Sequence, residues 1–408
     1  MSQSMPSTSA APSLQGRKIL IIVENLPLPF DRRVWQEAKT LRAAGAEVSV
    51  ICPTGKGYEA AYENLEGVHI YRHPLPADGN SKLSYLYEYV YALFNEFKLS
   101  LKVLRERGFD VIQGCNPPDL IFLVALPFRL LGKKFVFDHH DINPELFEAK
   151  FGKRGLFWRL LLLMERLTFM SATVSIATNE SYRRIAIERG KMKPQDVFVV
   201  RSGPDLSRVR PVPPVPERRK GRQYLIGYVG VIGEQEGVDL LLEAMNHIVK
   251  VQKREDVQLC IVGGGPSLQQ LKTMSHELGL DAYVDFTGRA PDQELFEVLS
   301  TADVCVNPDR VNEMNDKSTM NKIVEYMAMG KPIVQFDVTE GRFSAGESSL
   351  YAKANDPVDL ADKILSLLAD PAKRAEMGAI GRTRVEQELS WDYQIPKLIS
   401  AYERVFSK

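Results

Sequence analysis

The sequence predicts an α/β protein of two Rossmann-like domains, each built on a parallel sheet. Three observations predict it. Short apolar runs that read as buried strands alternate with longer amphipathic stretches from Lys18 to Asp337. Lys18 to Cys52 already holds strand, loop, helix and strand, a βαβ unit with a right-handed crossover. A Pro-rich, charged stretch at residues 209–221, VRPVPPVPERRKG, then parts the alternation into two series. At 408 residues the chain is long enough for a core on each side of that break.

The first 16 residues, MSQSMPSTSAAPSLQG, are Ser/Pro/Ala-rich without an apolar core, and are expected to be a disordered tail rather than a signal peptide. Residues 17–208 then make the first domain, 209–221 the linker and 222–389 the second domain. In the first domain, Lys18–Glu24 is a buried strand, Asn25–Phe30 a Pro-interrupted loop, Asp31–Ala44 a helix with Val34, Ala38 and Leu41 on its apolar face, and Glu47–Cys52 a strand. Asp31, Arg32 and Arg33 either offer a carboxylate and two guanidinium groups to an anionic second substrate or cap and solvate the helix start.

Val68–His73 is a short strand, and Ser81–Arg107 a long helix in which Tyr85, Tyr87, Tyr89, Tyr91, Phe94 and Phe97 pack on the sheet or face a membrane interface beside Lys98, Lys102 and Arg105. Phe109–Gln113 and Lys134–Asp138 are central strands. The loops after them, 114–119 and 139–145, therefore open on one edge of the sheet, where ligands of such folds bind. His140 at that edge suits proton transfer or hydrogen bonding to a hydroxyl, while the bland role of His139 and His140 is to cap the next helix. Their spacing is not that of metal ligands on one face. Phe157–Thr168 is amphipathic with basic flanks, Val174–Ala177 a strand, Glu180–Arg189 a helix and Val197–Val200 the last strand before the loop at Arg201.

In the second domain, Tyr224–Gly230 and Val257–Val262 are strands followed by glycine loops containing Gly230, Gly233, Gly237 and Gly263, Gly264, Gly265, which admit close approach of a ligand to the backbone. The helices Val238–Val251 and Leu268–Leu278 follow them. Val284–Gly288, the helix Glu294–Thr301 and Ala302–Asn307 lead into STMNKIVEYMAMGKPIVQFD. There Ser318 or Thr319 is a suitable N-cap, Met320, Ile323, Val324 and Met327 give helical spacing, Gly330 and Pro332 end the helix, and Ile333–Phe336 is a strand. The backbone N–H groups opening that helix suit a phosphate. Helices at Pro357–Ala369, Pro371–Leu389 and a last one to Phe406 complete the chain.

Composition narrows the function. With 44% hydrophobic and 25% charged residues and a formal net charge of +0, no strong field for nucleic acid is implied. The first half holds a mild basic excess, which suits an anionic membrane surface or is simply an uneven split of surface charge. Cys52, Cys115, Cys260 and Cys305 lie far apart in apolar runs and read as buried thiols of a cytoplasmic protein. No uninterrupted apolar run is long enough to span a bilayer, so any membrane contact is peripheral.

Glu325, Ala328, Gly330, Lys331, Pro332, Ile333 and Val334, together with Asp138, His140 and Asp141, resemble the motifs of the retaining glycosyltransferases of family 4, which have the GT-B fold of two Rossmann-like parallel-sheet domains facing a central cleft. Segments such as NLPLPFDRRVWQEA and DHHDINPELFE are most similar to the bacterial enzymes of surface-polysaccharide assembly. The resemblance implies transfer of a sugar, with retention, from a nucleotide-sugar donor (UDP preferred) to a lipid-linked or saccharide acceptor.

It implies His140 and Asp141 as the catalytic positions and Glu325 on the ribose, against the bland alternative of an ion pair between Glu325 and Lys322. Ser318, Thr319, Met320, Asn321, Lys322, Gly230, Gly233, Gly263, Gly264 and Arg201 would line the donor, with Arg289 and Ala290 facing the base. It also implies that residues 390–408 cross back to the first domain as a closing helix.

The chain departs from the family pattern at several places: its first loop, Pro27–Arg33, holds no glycine, and Arg201 stands where Asn is usual. Lys317 stands where a first glutamate is usual, replaceable by Asp316 or Glu313 only if the loop shifts. Val231 and Glu236 stand where an Arg and a Lys meet the diphosphate, leaving Arg201, Lys322 or Arg310 to replace them. No Asp-x-Asp motif suits a metal at the donor, and metal-independent transfer with no cofactor is expected. The alternatives are an epimerase of the same fold or a non-catalytic nucleotide-sugar-binding scaffold. A Rossmann oxidoreductase is disfavoured because no Gly-x-Gly-x-x-Gly follows the first strand.

Overall fold

The computed structural model describes residues 13–75 and 82–408, and the side chains of all these except 82–89. The chain divides into two compact units, unit 1 comprising Met1–Glu148, Lys153–Val200 and Ile395–Lys408, and unit 2 comprising Ala149–Gly152 and Arg201–Gln394.

Unit 1 holds β1 (Lys18–Ile22), β2 (Glu47–Pro53), β3 (Tyr62–Leu65), β4 (Val68–His73), β5 (Val111–Cys115), β6 (Lys134–His139), β7 (Val174–Ala177) and β8 (Val197–Val199). They form one sheet in the order β3-β4-β2-β1-β5-β6-β7-β8, parallel except for the β3–β4 pair. β3 was not read from the sequence. Its residues are exposed or half-buried, so no apolar run marks it, and it pairs only with β4 at the edge. The closing helix Ile395–Phe406 belongs to this unit, burying Leu398, Ala401, Tyr402 and Val405.

Unit 2 holds β9 (Tyr224–Val229), β10 (Val257–Val262), β11 (Val284–Gly288), β12 (Val304–Asn307), β13 (Ile333–Phe336) and β14 (Ser349–Ala352), ordered β11-β10-β9-β12-β13-β14 and parallel throughout. Alternate strand residues feed two cores. Ile226, Tyr228, Leu259 and Ile261 face one side with the helices Val238–Asn246 and Pro357–Ala369, whereas Leu225, Val229, Cys260 and Val262 face the other with the helices Asp292–Thr301 and Asn321–Ala328. A sheet covered on both faces explains why its strands read as continuous apolar runs.

Three sequence expectations need correction. The tail expected over residues 1–16 falls partly outside the described residues, but residues 13–16 form a turn in which Leu14 is buried and its N–H donates to Ala44 O at 3.0 Å. The stretch expected to be a linker packs within unit 2. Val209 is buried, Val212 and Val215 donate backbone N–H bonds to Ser300 Oγ and Thr301 Oγ1, and Arg218 and Arg219 pair with Glu294, Glu297 and Asp303. The helix expected to start at Ser318 or Thr319 runs from Asn321 to Ala328 with Met320 at its N-cap and no side-chain cap. Ser318 instead ends the short helix Glu313–Lys317, and its Oγ donates to Met314 O.

The other end of that helix follows the sequence. Gly330 takes φ 66°, a left-handed conformation that a Cβ disfavours, just past the helix end. All four cysteines are buried and free. Among the described residues no helix is long and apolar enough to cross a membrane. The helix Leu156–Ser171 buries Glu165, Thr168 and Phe169 on one face and exposes Leu156, Phe157, Leu160 and Leu163 on the other. Tyr85, Tyr87 and Tyr89 lie outside the described side chains. Phe97 packs on Phe128 with centroids 5.7 Å apart, whereas Phe94 is exposed.

Candidate functional site

The carboxyl edge of the unit 1 sheet is built on a polar network among apolar strands. The helix Arg32–Ala43 buries Arg33 and Glu37, one turn apart, beside its expected apolar face. Arg33 donates to Asp138 Oδ1 at 3.0 Å and to Val200 O at 2.9 Å, and lies 3.1 Å from Glu37 Oε1. Gln113, a polar residue inside β5, donates from Nε2 to Glu37 Oε2 at 2.7 Å and to Asp138 Oδ2 at 2.9 Å, and its Oε1 accepts from the Tyr402 hydroxyl of the closing helix.

His140 Nε2 stands 2.7 Å from Asp138 Oδ2 and 3.0 Å from Arg33 Nε. The atom therefore has a partner in either protonation state. Protonated, it donates to Asp138; deprotonated, it accepts from Arg33. The loop itself is held by Asn116, whose Oδ1 accepts from the N–H groups of His140 and Asp141 at 2.7 and 3.2 Å and whose Nδ2 donates to Asp141 O at 2.6 Å. His140 and Asp141, the expected catalytic pair, are thus fixed at the end of β6 by backbone clamps.

Titration at this edge follows from burial and charge. Burial and the Asp138 charge push Glu37 up to about 8, against the pull of Arg33 and His140. Burial opposes ionisation of Asp138, yet Arg33 and His140 outweigh it and hold the carboxyl below its ordinary range. Burial alone would lower His140, but Asp138 raises it above the ordinary imidazole value.

His139 is different. It is fully buried, packed among Phe137, Phe169 and Tyr182, and pushed down to about 3 chiefly by burial. It is a core residue rather than a reactive one.

The acceptor-side expectation is corrected here. Asp31 caps its helix, accepting from Val34 N at 3.0 Å, and Arg33 is turned inward to the network instead of offering its guanidinium to a substrate. Only Arg32 of the three is exposed. Cys115, Asp138 and His140 form a group whose potential ligand atoms lie within 4.8 Å of one another. The Arg33 cation at 3.0 Å from Asp138 opposes a second positive charge there, and the Cys115 thiol is held protonated by burial and by Asp138. The residues do not fit a metal site.

The carboxyl edge of the unit 2 sheet is built mainly from backbone. The glycine loops after β9, β10 and β11 are laced by Gly230 N to Val262 O, Ile232 N to Gly264 O and Gly263 N to Gly288 O bonds of 2.9–3.0 Å. A Cβ on Gly263, which takes φ 148°, would lie 1.8 Å from Gly230 O, and one on Gly265 would lie 2.3 Å from Ile232 O. These glycines are therefore required first by the approach of the loops to one another. Gly264 has open space beside it, its nearest neighbours being Arg289 atoms at 3.9 Å or more.

Tyr326 pins the helix Asn321–Ala328 to this edge, its hydroxyl accepting from Val229 N at 2.8 Å and lying 3.3 Å from the Val229 and Val306 carbonyls. Asn321 is exposed at the helix start, while Thr319 and Met320 are half-buried. Glu325 is 18% exposed and lies 3.8 Å from Arg208 Nη2. Lys322 does not pair with Glu325. Its Nζ donates to Asp309 Oδ1 at 2.7 Å beneath the glycine loops, over the Tyr228 ring.

The basic groups expected to replace the missing diphosphate partners all face carboxylates. Arg201 packs over the Phe343 ring and reaches Glu340 at 3.3 Å, Arg310 pairs with Asp239, and Lys322 pairs with Asp309. The suggested substitutes for the first glutamate have other partners. Asp316 accepts from Thr339 N and Oγ1, and Glu313 pairs with Lys317. Glu236 is folded onto the glycine turn, with Oε2 2.7 Å from where a Gly233 Cβ would stand and no hydrogen-bond partner at that oxygen. Burial raises its affinity for a proton, Lys322 lowers it and Asp309 raises it again, with a net upward shift. Arg289 is exposed and Ala290 half-buried at the end of β11.

Sequence reasoning missed Glu37, Gln113, Asn116, Asp309, Tyr326 and Tyr402. Glu37 at i+4 from Arg33 and Gln113 within an apolar strand were visible as polar residues in core patterns. Their partners come from distant segments and leave no local signal.

Comparison with known proteins gives two family matches in chain order, Glycosyltransferase Family 4 over residues 31–208 and Glycosyl transferases group 1 over residues 223–370. A 2-deoxystreptamine glucosyltransferase of Streptomyces kanamyceticus is 26% identical over 324 residues, covering 76% of this chain and 81% of that one. A GDP-mannose-dependent monoacylated alpha-(1-6)-phosphatidylinositol monomannoside mannosyltransferase of Corynebacterium glutamicum is 28% identical over 205 residues, covering 47% and 52%. The chain thus spans about half the length of that curated relative. A sucrose-phosphate synthase structure from Thermosynechococcus elongatus superposes with a TM-score of 0.78 at 20% identity over 96% of this chain and 99% of that one.

Proposed function

From a chain with the GT-B fold that carries a Glycosyltransferase Family 4 domain followed by a group 1 domain, we infer that it is a glycosyltransferase taking its sugar from a nucleoside-diphosphate donor. The observation that carries this reading is the helix Asn321–Ala328, pinned by Tyr326 at the carboxyl edge of the unit 2 sheet, with Lys322 against the Gly230 turn and Glu325 partly exposed one turn further on. A carboxylate there suits two ribose hydroxyls, and the N–H groups of the helix start and of the Gly264 turn suit phosphate oxygens.

The leaving diphosphate is then stabilised by oriented backbone dipoles with Lys322, as electrostatic catalysis without a resident metal. His140, set by Asp138 and Arg33, supplies a nitrogen that gains or loses a proton while keeping a partner, which suits contact with a sugar hydroxyl. The acceptor is a lipid-linked or free saccharide in bacterial surface-polysaccharide synthesis, and transfer proceeds with retention. The face of Leu156, Phe157, Leu160 and Leu163, flanked by Lys153, Arg154 and Arg159, rests on an anionic membrane.

Calorimetric titration with a panel of UDP- and GDP-sugars, for wild type and Glu325→Ala, tests the donor site. Binding of one donor that the variant weakens by about tenfold or more, ~1.4 kcal/mol, is expected. It also separates the uridine donor inferred from the sequence resemblance from the guanosine donor named for the mannosyltransferase relative. Equal binding by the variant removes the ribose role. A donor that binds but is never consumed with any saccharide acceptor favours the non-catalytic scaffold, a reading that the fully paired Arg201, Arg310 and Lys322 keep open.

A further inference from the structure

Unit 1 has a cavity of about 540 Å³ that the reading above does not use. It lies at the opposite edge of the sheet from His140. Lys134 begins β6, Thr173 immediately precedes β7 and Asp196 immediately precedes β8, and all three line it. Substrate sites in parallel sheets lie at the other, carboxyl ends of the strands, so this cavity is separate from the edge that carries His140 and Asp141.

Its charge is lopsided. The side chains of Arg129, Lys134, Lys191 and Lys193 line it, and none has a hydrogen-bonded or ion-paired partner among the described residues. The acidic residue lining it, Asp196, is already neutralised by Arg404 at 2.9 Å and Lys408 at 2.6 Å, and Lys408 also donates to Thr173 O. Arg129 is the telling member. Its guanidinium is partly withdrawn from water, enough to disfavour its charge, with no anion among the described residues to offset that cost. One wall is apolar, made by Phe169, Met170, Ala172 and Met192, and the exposed Leu130 and Leu131 lie in the chain between Arg129 and Lys134.

We propose that this cavity is a binding site for a phosphate monoester or diester that carries an apolar group. The cations meet the phosphate oxygens, as charge-assisted hydrogen bonds, and the Phe169 wall takes the apolar part. The volume falls within the range of small-molecule sites, about 300–1,000 Å³, and exceeds what a bare anion fills. Phe169 also packs edge-on against His139, centroids 5.1 Å apart, so an occupant sits one ring away from the residue preceding His140. The ligand reaches this site either as a membrane lipid headgroup or as a soluble ester.

The test titrates the full chain with three probes, inorganic phosphate, soluble dihexanoyl phosphatidic acid and vesicles of phosphatidic acid in phosphatidylcholine. The proteins are wild type, Lys134→Ala/Lys193→Ala and a charge-matched control in unit 2, Lys272→Ala/Lys373→Ala, each first shown to unfold at the wild-type temperature. Dihexanoyl phosphatidic acid is expected to bind wild type at least tenfold more tightly than the cavity variant, with the control within twofold of wild type. Tenfold weaker binding of inorganic phosphate is expected from the apolar wall.

Vesicle binding lost by the cavity variant alone identifies the membrane as the source. Soluble binding without selective vesicle binding identifies a free ester. Equal binding by the cavity variant and wild type, or equal loss in both variants, overturns the site. Inorganic phosphate binding as tightly as the lipid overturns the amphiphile class. None of these outcomes depends on which donor unit 2 takes.

Discussion

At the carboxyl edge of the unit 1 sheet, charge is sealed inside the protein, whereas at the carboxyl edge of unit 2 it is set beside loops laced together by backbone hydrogen bonds. Arg33, Glu37 and Asp138 are almost fully buried and exist to hold one imidazole, His140, in one place. Around the glycine loops of unit 2, Glu236, Asp309 and Lys322 bring two carboxylates to one ammonium. A buried network of mixed charge fixes geometry because each member is costly to leave unpaired. The loops of unit 2 are shaped instead by backbone hydrogen bonds between them, with Glu236 folded onto the Gly233 turn.

The comparison is broken most directly at Asp138. Asp138→Asn leaves Arg33 and His140 without their shared counter-charge, and breaking such a buried pair costs about 3–5 kcal/mol. Thermal unfolding of wild type and variant measures it, and a Tm equal to wild type would show that the network is not a unit. The matching change in unit 2 is steric. Gly263→Ala forces a left-handed φ and a clash with Gly230 O, about 1–3 kcal/mol of local strain, and donor binding is expected to vanish while the unit 1 fold is kept. Retained donor affinity in a folded Gly263→Ala protein would mean that the lacing of the loops does not shape the site.

Protonation separates the two edges further. The folded chain holds a proton on Glu37 up to about pH 8, whereas the unfolded carboxyl releases it near 4.5. Its favourable contribution is therefore full below the unfolded pKa and is lost as pH rises through the folded one. Glu37→Gln is expected to remove this slope, so that its Tm gains on wild type by a few degrees between about pH 5 and about pH 9. Parallel pH profiles for the two proteins would assign the slope elsewhere.

The smallest effect is expected at Glu236. As pH rises its carboxyl ionises and opposes a bound diphosphate, so Glu236→Gln should tighten donor binding a few-fold, about 1 kcal/mol, near pH 8 and less near pH 5. Calorimetry at both pH values checks it, and tighter wild-type binding at the higher pH would reverse the argument.

How much was legible differs along the chain. β1, β2, β9 and β10 were readable because strands buried on both faces carry unbroken apolar runs, and the ends of the helices Pro357–Ala369 and Asn321–Ala328 because Pro and Gly punctuate them. β3 and β14 were not, since one is exposed and the other is polar at its start. His140 and Asp141 were placed after a strand, and Glu325 within a helix, by motif and order alone. The start of the Glu325 helix was misplaced because a Ser-Thr pair that looks like an N-cap closes the preceding short helix instead.

Local pattern thus carried the order of strands and helices, the division into two sheets and the edges at which loops gather, because each follows from side-chain periodicity and turn chemistry within about 20 residues. The roles of the charged residues did not follow in that way. Arg33 reads from the chain as a surface cation, yet it is buried because Asp138, 105 residues away, offers it a carboxylate. Gln113 reads as the polar end of a strand until Tyr402, 289 residues away, meets it. Whether a charge faces water, a ligand or a counter-charge depends on which distant segments the fold brings beside it.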